Sequence, residues 1–63
     1  MYLDKAKFAY ELAKRNLTSC TVAKMAGITP ATLSAIKNGK RCRGKTAERI
    51  AGALEMNVEE LFS

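Results

Sequence analysis

Apolar side chains recur every three or four positions along most of this 63-residue chain, which is the spacing of amphipathic helices. In the first such segment, about residues 4–16, Phe8 and Leu12 lie one turn apart and should face the core. Asp4 is the predicted N-cap. Charged residues such as Glu11 are expected mostly on the other faces. No stretch alternates apolar and polar residues as a strand does, so the pattern predicts an all-α protein.

A second and a third helix are predicted on either side of a tight turn. Gly27 should end the second helix, about residues 18–26, because glycine tolerates the positive φ that follows many helices. Thr29 can then cap a third helix of about residues 30–37, and Pro30 suits its first position, where no N–H is needed. This order of signals predicts a helix-turn-helix.

Apolar residues also bracket the predicted N-caps. One before the cap and one inside the helix can pack together as a hydrophobic staple, which fixes the direction from which the chain enters the helix. The pairs are Leu17/Val22 around Thr18, Ile28/Leu33 around Thr29, and Met56/Leu61 around Asn57. Three helices are therefore predicted to begin in the same way.

A fourth helix is predicted over about residues 46–55. Ile50 and Leu54 lie one turn apart on its core face, and several alanines supply small packing residues. Gly52 lies inside the helix, where glycine costs about 1 kcal/mol relative to alanine. We therefore expect Gly52 to be packed closely against a neighbouring element.

A short fifth helix should follow, with Asn57 as its N-cap and Glu60 completing a capping box. Its apolar residues are Val58, Leu61 and Phe62. They could close the core of a monomer, or Val58 and Phe62 could form a dimer contact. The sequence leaves both alternatives open.

Charge is distributed unevenly along the chain, which carries 11 basic and 6 acidic residues and a net charge of +5. One basic run falls within nine residues that contain no acid. Its members are Lys37, Lys40, Arg41, Arg43 and Lys45. Such a run can be a solvated face, but its place directly after the third helix favours an anionic partner.

Few side chains are suited to chemistry. Cys20 and Cys42, with no histidine, are too few for a metal site, and we favour two free thiols over a disulfide. Both thiols are expected near the anion-binding side, where oxidation could interfere with binding. Tyr2 and Tyr10 are expected to be partly buried and receive no role.

Small, apolar and turn residues of the helix-turn-helix segment have a familiar joint spacing: Ala23, Gly27, Ile28, Thr29, Leu33, Ile36, Asn38 and Gly39. Here the chain resembles the Cro/phage-repressor type of helix-turn-helix DNA-binding domain, and the likeness extends from about Phe8 to Phe62. The resemblance implies one domain, residues 1–63, folded as a compact five-helix bundle of the lambda-repressor-like type. It also implies double-stranded DNA as the partner, a homodimer at least on DNA, and no cofactor.

Two departures from the family pattern are visible. Ser19 stands where the family commonly has a glutamine that contacts phosphate, which weakens the side-chain part of that contact. Leu12 and Lys37 stand where the family often pairs an arginine with a glutamate. Since both partners are replaced, no lone buried charge remains. We expect Leu12 to pack in the core and Lys37 to point to solvent or phosphate.

The resemblance places helix 30–37 in the major groove and the following loop along the sugar-phosphate backbone. The predicted DNA-binding residues are Ser19, Thr29, Pro30, Ala31, Ser34, Ala35, Asn38, Lys40, Arg41, Arg43 and Lys45. Two explanations of the small residues remain open. Ala31 and Ala35 could let the helix sit deep against thymine methyls, or the domain could read DNA through its shape.

The most concrete function is therefore a small sequence-specific transcriptional regulator, most simply a repressor. The alternative is a protein-interaction module, such as an antitoxin or adaptor, that reuses the fold. An enzyme is rejected, because the chain has no histidine, no phosphate-binding glycine loop on a βαβ unit, and no paired carboxylates placed in a plausible cleft. No apolar run approaches the ~18 residues of a membrane span and no signal peptide is evident, so a cytoplasmic location is expected.

Overall fold

Five helices and no strand make up the computed structural model, which describes residues 1–63. The helices are α1 (Lys5–Arg15), α2 (Ser19–Ala26), α3 (Pro30–Lys37), α4 (Gly44–Ala53) and α5 (Val58–Leu61). The predicted all-α, five-helix fold is confirmed. None of the helices has the length and apolar character needed to cross a membrane.

The predicted helix ends form as the residue types require. Asp4 caps α1, and its Oδ1 accepts a hydrogen bond from the Lys7 backbone N–H at 3.0 Å. Gly27 ends α2 in the left-handed region with φ of 74°, and Gly39 follows α3 with φ of 103°. An L side chain is strained at these angles, which is why glycine occupies both positions.

One apolar core joins the helices. Its fully buried large side chains are Phe8, Val22, Leu33, Ile50, Leu54 and Leu61. The first residue of each predicted staple, Leu17, Ile28 or Met56, is half-buried against this core. Helix α2 packs against both α3 and α4, so the helix-turn-helix rests on α4.

Helix α4 corrects two predictions. It begins at Gly44, two residues before the predicted start, and no side-chain hydrogen bond caps this end. Lys45 therefore lies on the helix and not in the loop. Gly52 is exposed, and a Cβ placed there would meet no atom within 4 Å. The expected close packing at Gly52 is wrong.

Helix α5 is capped differently from the prediction. Asn57 makes no side-chain bond to the helix backbone; its Nδ2 instead donates to Glu60 Oε1 at 3.1 Å. The reciprocal capping box is therefore absent. Phe62 is buried within the chain and closes the core, so of the two predicted dimer-contact residues Val58, which is half-buried, is the one that is still partly accessible.

The N-terminal residues pair with the C-terminal ones, which the sequence did not predict. Leu3 and Phe62 form a single antiparallel bridge, and the Asp4 N–H donates to Leu61 O at 2.8 Å. The backbone of Tyr2 takes part in this pairing, while its side chain lies at the surface. Tyr2 is 52% exposed and Tyr10 is 60% exposed, so both tyrosines lie at the surface with somewhat less than half of each covered.

Glu11 also differs from its predicted place. It is only 5% exposed, because it lies next to Leu12 on the inward side of α1, three positions after Phe8. An ion pair with Arg15, one turn later, compensates the buried carboxylate. The hydrogen bond from Arg15 lowers the pKa of Glu11; burial opposes this shift, and the charges of Arg15, Lys14 and Lys7 reinforce it.

Candidate nucleic-acid interface

The outer face of α3 is free of packing partners. Leu33 and Ile36 are buried and fix the opposite face of the helix on the core. The outward residues Pro30, Ala31, Ser34 and Asn38 are exposed, and Ala35 is half-buried. The face therefore carries little bulk, and Ser34 is its central hydrogen-bonding side chain.

Both helices of the helix-turn-helix begin with the same threonine cap. Thr29 Oγ1 accepts from the Thr32 N–H at 3.1 Å, and the two hydroxyl oxygens lie 2.8 Å apart. Thr18 and Thr21 repeat this arrangement on α2, at 3.2 and 2.9 Å. Thr29 is therefore occupied as a cap and has only limited capacity to bond a ligand.

The first turn of α2 offers more open donors than that of α3. The N–H groups of the first residues of a helix have no partner inside the helix. In α2 these include Ser19 and Cys20, whereas Pro30 at the start of α3 has no N–H to offer. Ser19 is half-buried and Cys20 is exposed.

The basic loop after α3, residues 40–43, is fixed by its backbone. The Lys40 N–H donates to Ala35 O at 3.0 Å, and the Cys42 N–H donates to Met1 O at 2.7 Å. Lys40, Arg41 and Arg43 remain exposed between these anchors. They border a groove of about 390 Å³ that separates the loop from α3 and the start of α4.

The two thiols lie in different environments, and both are free. Cys20 is exposed at the start of α2, as expected for a group on the binding side. Cys42 is buried, and burial raises the pKa of its thiol, although the nearby N-terminal ammonium opposes this shift. Cys42 thus lies in the basic loop between Arg41 and Arg43, but its thiol is shielded from solvent.

Lys37 makes a contact that sequence reasoning missed. Its Nζ donates to Ser19 Oγ at 3.0 Å, so the last residue of α3 is bonded to the first residue of α2. Leu12 packs in the core as expected. Lys37 is half-buried rather than free in solvent, and only the general approach of α3 to α2 could have indicated Ser19 as its partner.

The segment that carries these features contains no acidic residue. Between Glu11 and Glu48 lie eight of the eleven basic residues and none of the six acidic ones. The helix-turn-helix and the loop are therefore uniformly cationic. The chain has no group of three or more metal-ligating side chains that could hold an ion.

Fold and surface together define a helix-turn-helix protein with a cationic surface around α3 and the loop. The chain belongs to the Cro/C1-type HTH DNA-binding domain family, whose model matches residues 7–63. A comparison with curated proteins and one with solved structures found no match. The family binds DNA, and the resemblance to Cro and phage repressors is confirmed at this level.

Proposed function

We propose that residues 1–63 form one domain that binds double-stranded DNA in a sequence-specific way and regulates transcription, most simply as a repressor that occludes a promoter. The observation that carries this proposal is the unpacked outer face of α3 beside a basic loop in an acid-free segment. A helix of this width fits the major groove, and the basic loop then follows the phosphate backbone.

The residues divide into two roles. Lys40, Arg41 and Arg43 on the loop, with Lys45 on the first turn of α4, neutralise phosphates. Asn38 at the end of α3 and Ser19 at the start of α2 add polar contacts to the backbone. If about four phosphates are engaged per subunit, the logarithm of the binding constant falls with the logarithm of salt concentration with a slope near −3.6.

Base reading falls to α3. Pro30, Ala31 and Ala35 let the helix lie close to the groove floor, where the alanines can touch thymine methyls, and Ser34 supplies one hydrogen bond. Thr29 contributes mainly by capping the helix. Because the helix lacks Arg, Asn and Gln side chains on its central turn, DNA shape should add to the selectivity.

Two subunits per site are part of the proposal. A single small module buries limited DNA surface, and family members commonly occupy two half-sites about one helical turn apart. Val58 is the apolar residue on α5 left partly open for a second subunit. A dimer that forms only on DNA is compatible with such a small contact.

The experiment that tests the proposal is selection of binding sequences from a randomised duplex library, with the wild type and two variants. Arg43→Ala should weaken binding to all duplexes and select the same sequence as the wild type. Ser34→Ala should change the selected sequence. Arg49→Ala, on α4 outside the binding face, is the control and should do neither. If the wild type selects no sequence, the protein-interaction alternative replaces the proposal.

A further inference from the structure

A hydrogen bond between the side chains of Lys37 and Ser19 links the two helices of the helix-turn-helix. Eighteen positions separate these residues, and the donor–acceptor distance is 3.0 Å. Both side chains are half-buried, so the contact lies at the edge of the α2–α3 junction and remains open to solvent on one side.

The chemistry of the two groups fixes the direction of the bond. An ammonium has three N–H donors and no acceptor, so Ser19 Oγ must accept. The hydroxyl hydrogen of Ser19 then points away from Lys37, and two N–H donors of Lys37 remain. The pair therefore presents three donors, two from Lys37 and one from Ser19, beside the one acceptor lone pair that Ser19 Oγ retains.

The charge of Lys37 is not neutralised within the chain. The ion pair of the structure lies between Glu11 and Arg15, and no acidic residue occurs from position 12 to position 47. A half-buried, uncompensated ammonium with a hydroxyl donor beside it favours an oxyanion as a ligand.

We propose that Lys37 and Ser19 together bind one phosphodiester oxyanion of DNA, with Lys37 as the charged ligand and Ser19 as the residue that positions it. This inference rests on the proposed DNA-binding function and adds Lys37 to the residues that function requires. An ammonium is a point charge without a directional fork, which suits phosphate more than a base edge.

The test is a fluorescence-anisotropy titration of a random-sequence duplex of about three helical turns, repeated over a series of salt concentrations. Lys37→Met removes the charge and keeps the apolar stem. Its salt slope should be less steep than that of the wild type by about 0.9, the loss of one phosphate contact. Lys37→Arg should keep the wild-type slope.

Two further variants separate ligand from positioning residue. Ser19→Ala leaves the charge on Lys37 but removes the hydroxyl that holds its ammonium in place. The affinity for DNA should therefore fall, while the salt slope stays close to that of the wild type. Lys24→Met is the matched control, because Lys24 is an exposed lysine on the last turn of α2, and its slope should equal that of the wild type. Thermal unfolding of each variant establishes that it is folded at the titration temperature.

An unchanged slope for folded Lys37→Met would overturn the inference while leaving the proposed function in place. If Lys37→Met does not fold, the Ser19→Ala titration decides, and unchanged affinity in that variant overturns the inference. Absence of salt-dependent binding by the wild type would instead contradict the proposed function itself.

Discussion

Tyr2 and Ser63 exchange two backbone hydrogen bonds: the Tyr2 N–H donates to Ser63 O at 2.7 Å, and the Ser63 N–H donates to Tyr2 O at 2.9 Å. The next residues inward along the chain, Leu3 and Phe62, form the antiparallel bridge. The pairing holds Phe62 against the core instead of leaving it for a partner. Stability of the domain should therefore depend on Phe62 in the isolated monomer.

Phe62→Ala should lower the free energy of unfolding by about 3–5 kcal/mol, since it removes a buried aromatic ring and leaves a cavity. For a domain of this size that loss is a large part of the total. Urea unfolding followed by circular dichroism measures it. Val58→Ala, at a half-buried position on α5, is the control and should cost clearly less. A loss below about 1 kcal/mol for Phe62→Ala would contradict the packing described.

Gly52→Ala should raise the free energy of unfolding by about 0.5–1 kcal/mol. Gly52 lies inside α4 and has open space around its missing Cβ, so alanine gains helix propensity without a clash. Gly27→Ala is the opposing control, because the φ of 74° at Gly27 disfavours any side chain. Thermal unfolding of both variants decides the matter. Destabilisation by Gly52→Ala would show that the space at that site is filled.

The ion pair between Glu11 and Arg15 should make stability depend on acid pH. The folded state holds the pKa of Glu11 below its usual value. The stabilisation is then fully present above about pH 4.3, the usual pKa of a glutamate, and is lost as the pH falls through the lower pKa of the folded state. Unfolding midpoints measured from pH 7 to pH 2 should fall less steeply in Glu11→Gln. Parallel curves for variant and wild type would contradict this assignment.

The two thiols should differ in reactivity. Cys20 is exposed and should react quickly with a disulfide reagent, whereas buried Cys42, with its raised thiol pKa, should react only when the domain opens. A timed thiol assay should detect one rapidly reacting thiol in native buffer and two thiols in denaturant. Cys20→Ser should abolish the fast phase. A fast phase that persists in this variant would show that Cys42 is accessible.

Local signals in the sequence predicted the helices well, because caps and turn glycines act over a few residues. Helices α2 and α3 begin after the threonine caps Thr18 and Thr29, and α2 ends at Gly27, as the chemistry of these residues requires. Helix α4 begins upstream of the predicted start, and no capping side chain marks this end in the sequence.

Long-range contacts could not be predicted in the same way. The bridge between Leu3 and Phe62 joins opposite ends of the chain, and neither residue lies in a strand-like pattern. The bond from Lys37 to Ser19 depends on how α3 crosses α2. The DNA-binding residues predicted from the family resemblance remain predictions. The acid-free segment around them supports the assignment, as does the exposure of all of them except half-buried Ser19 and Ala35.

The most direct test of DNA binding by the α3 face and basic loop is the affinity of the wild-type protein for a random-sequence duplex over a range of salt concentrations. The account predicts a linear fall in a log–log plot with a slope between roughly −3 and −8, as several phosphates are engaged by one or two subunits. No detectable binding at low salt would contradict it, and the basic loop would then be only a solvated surface.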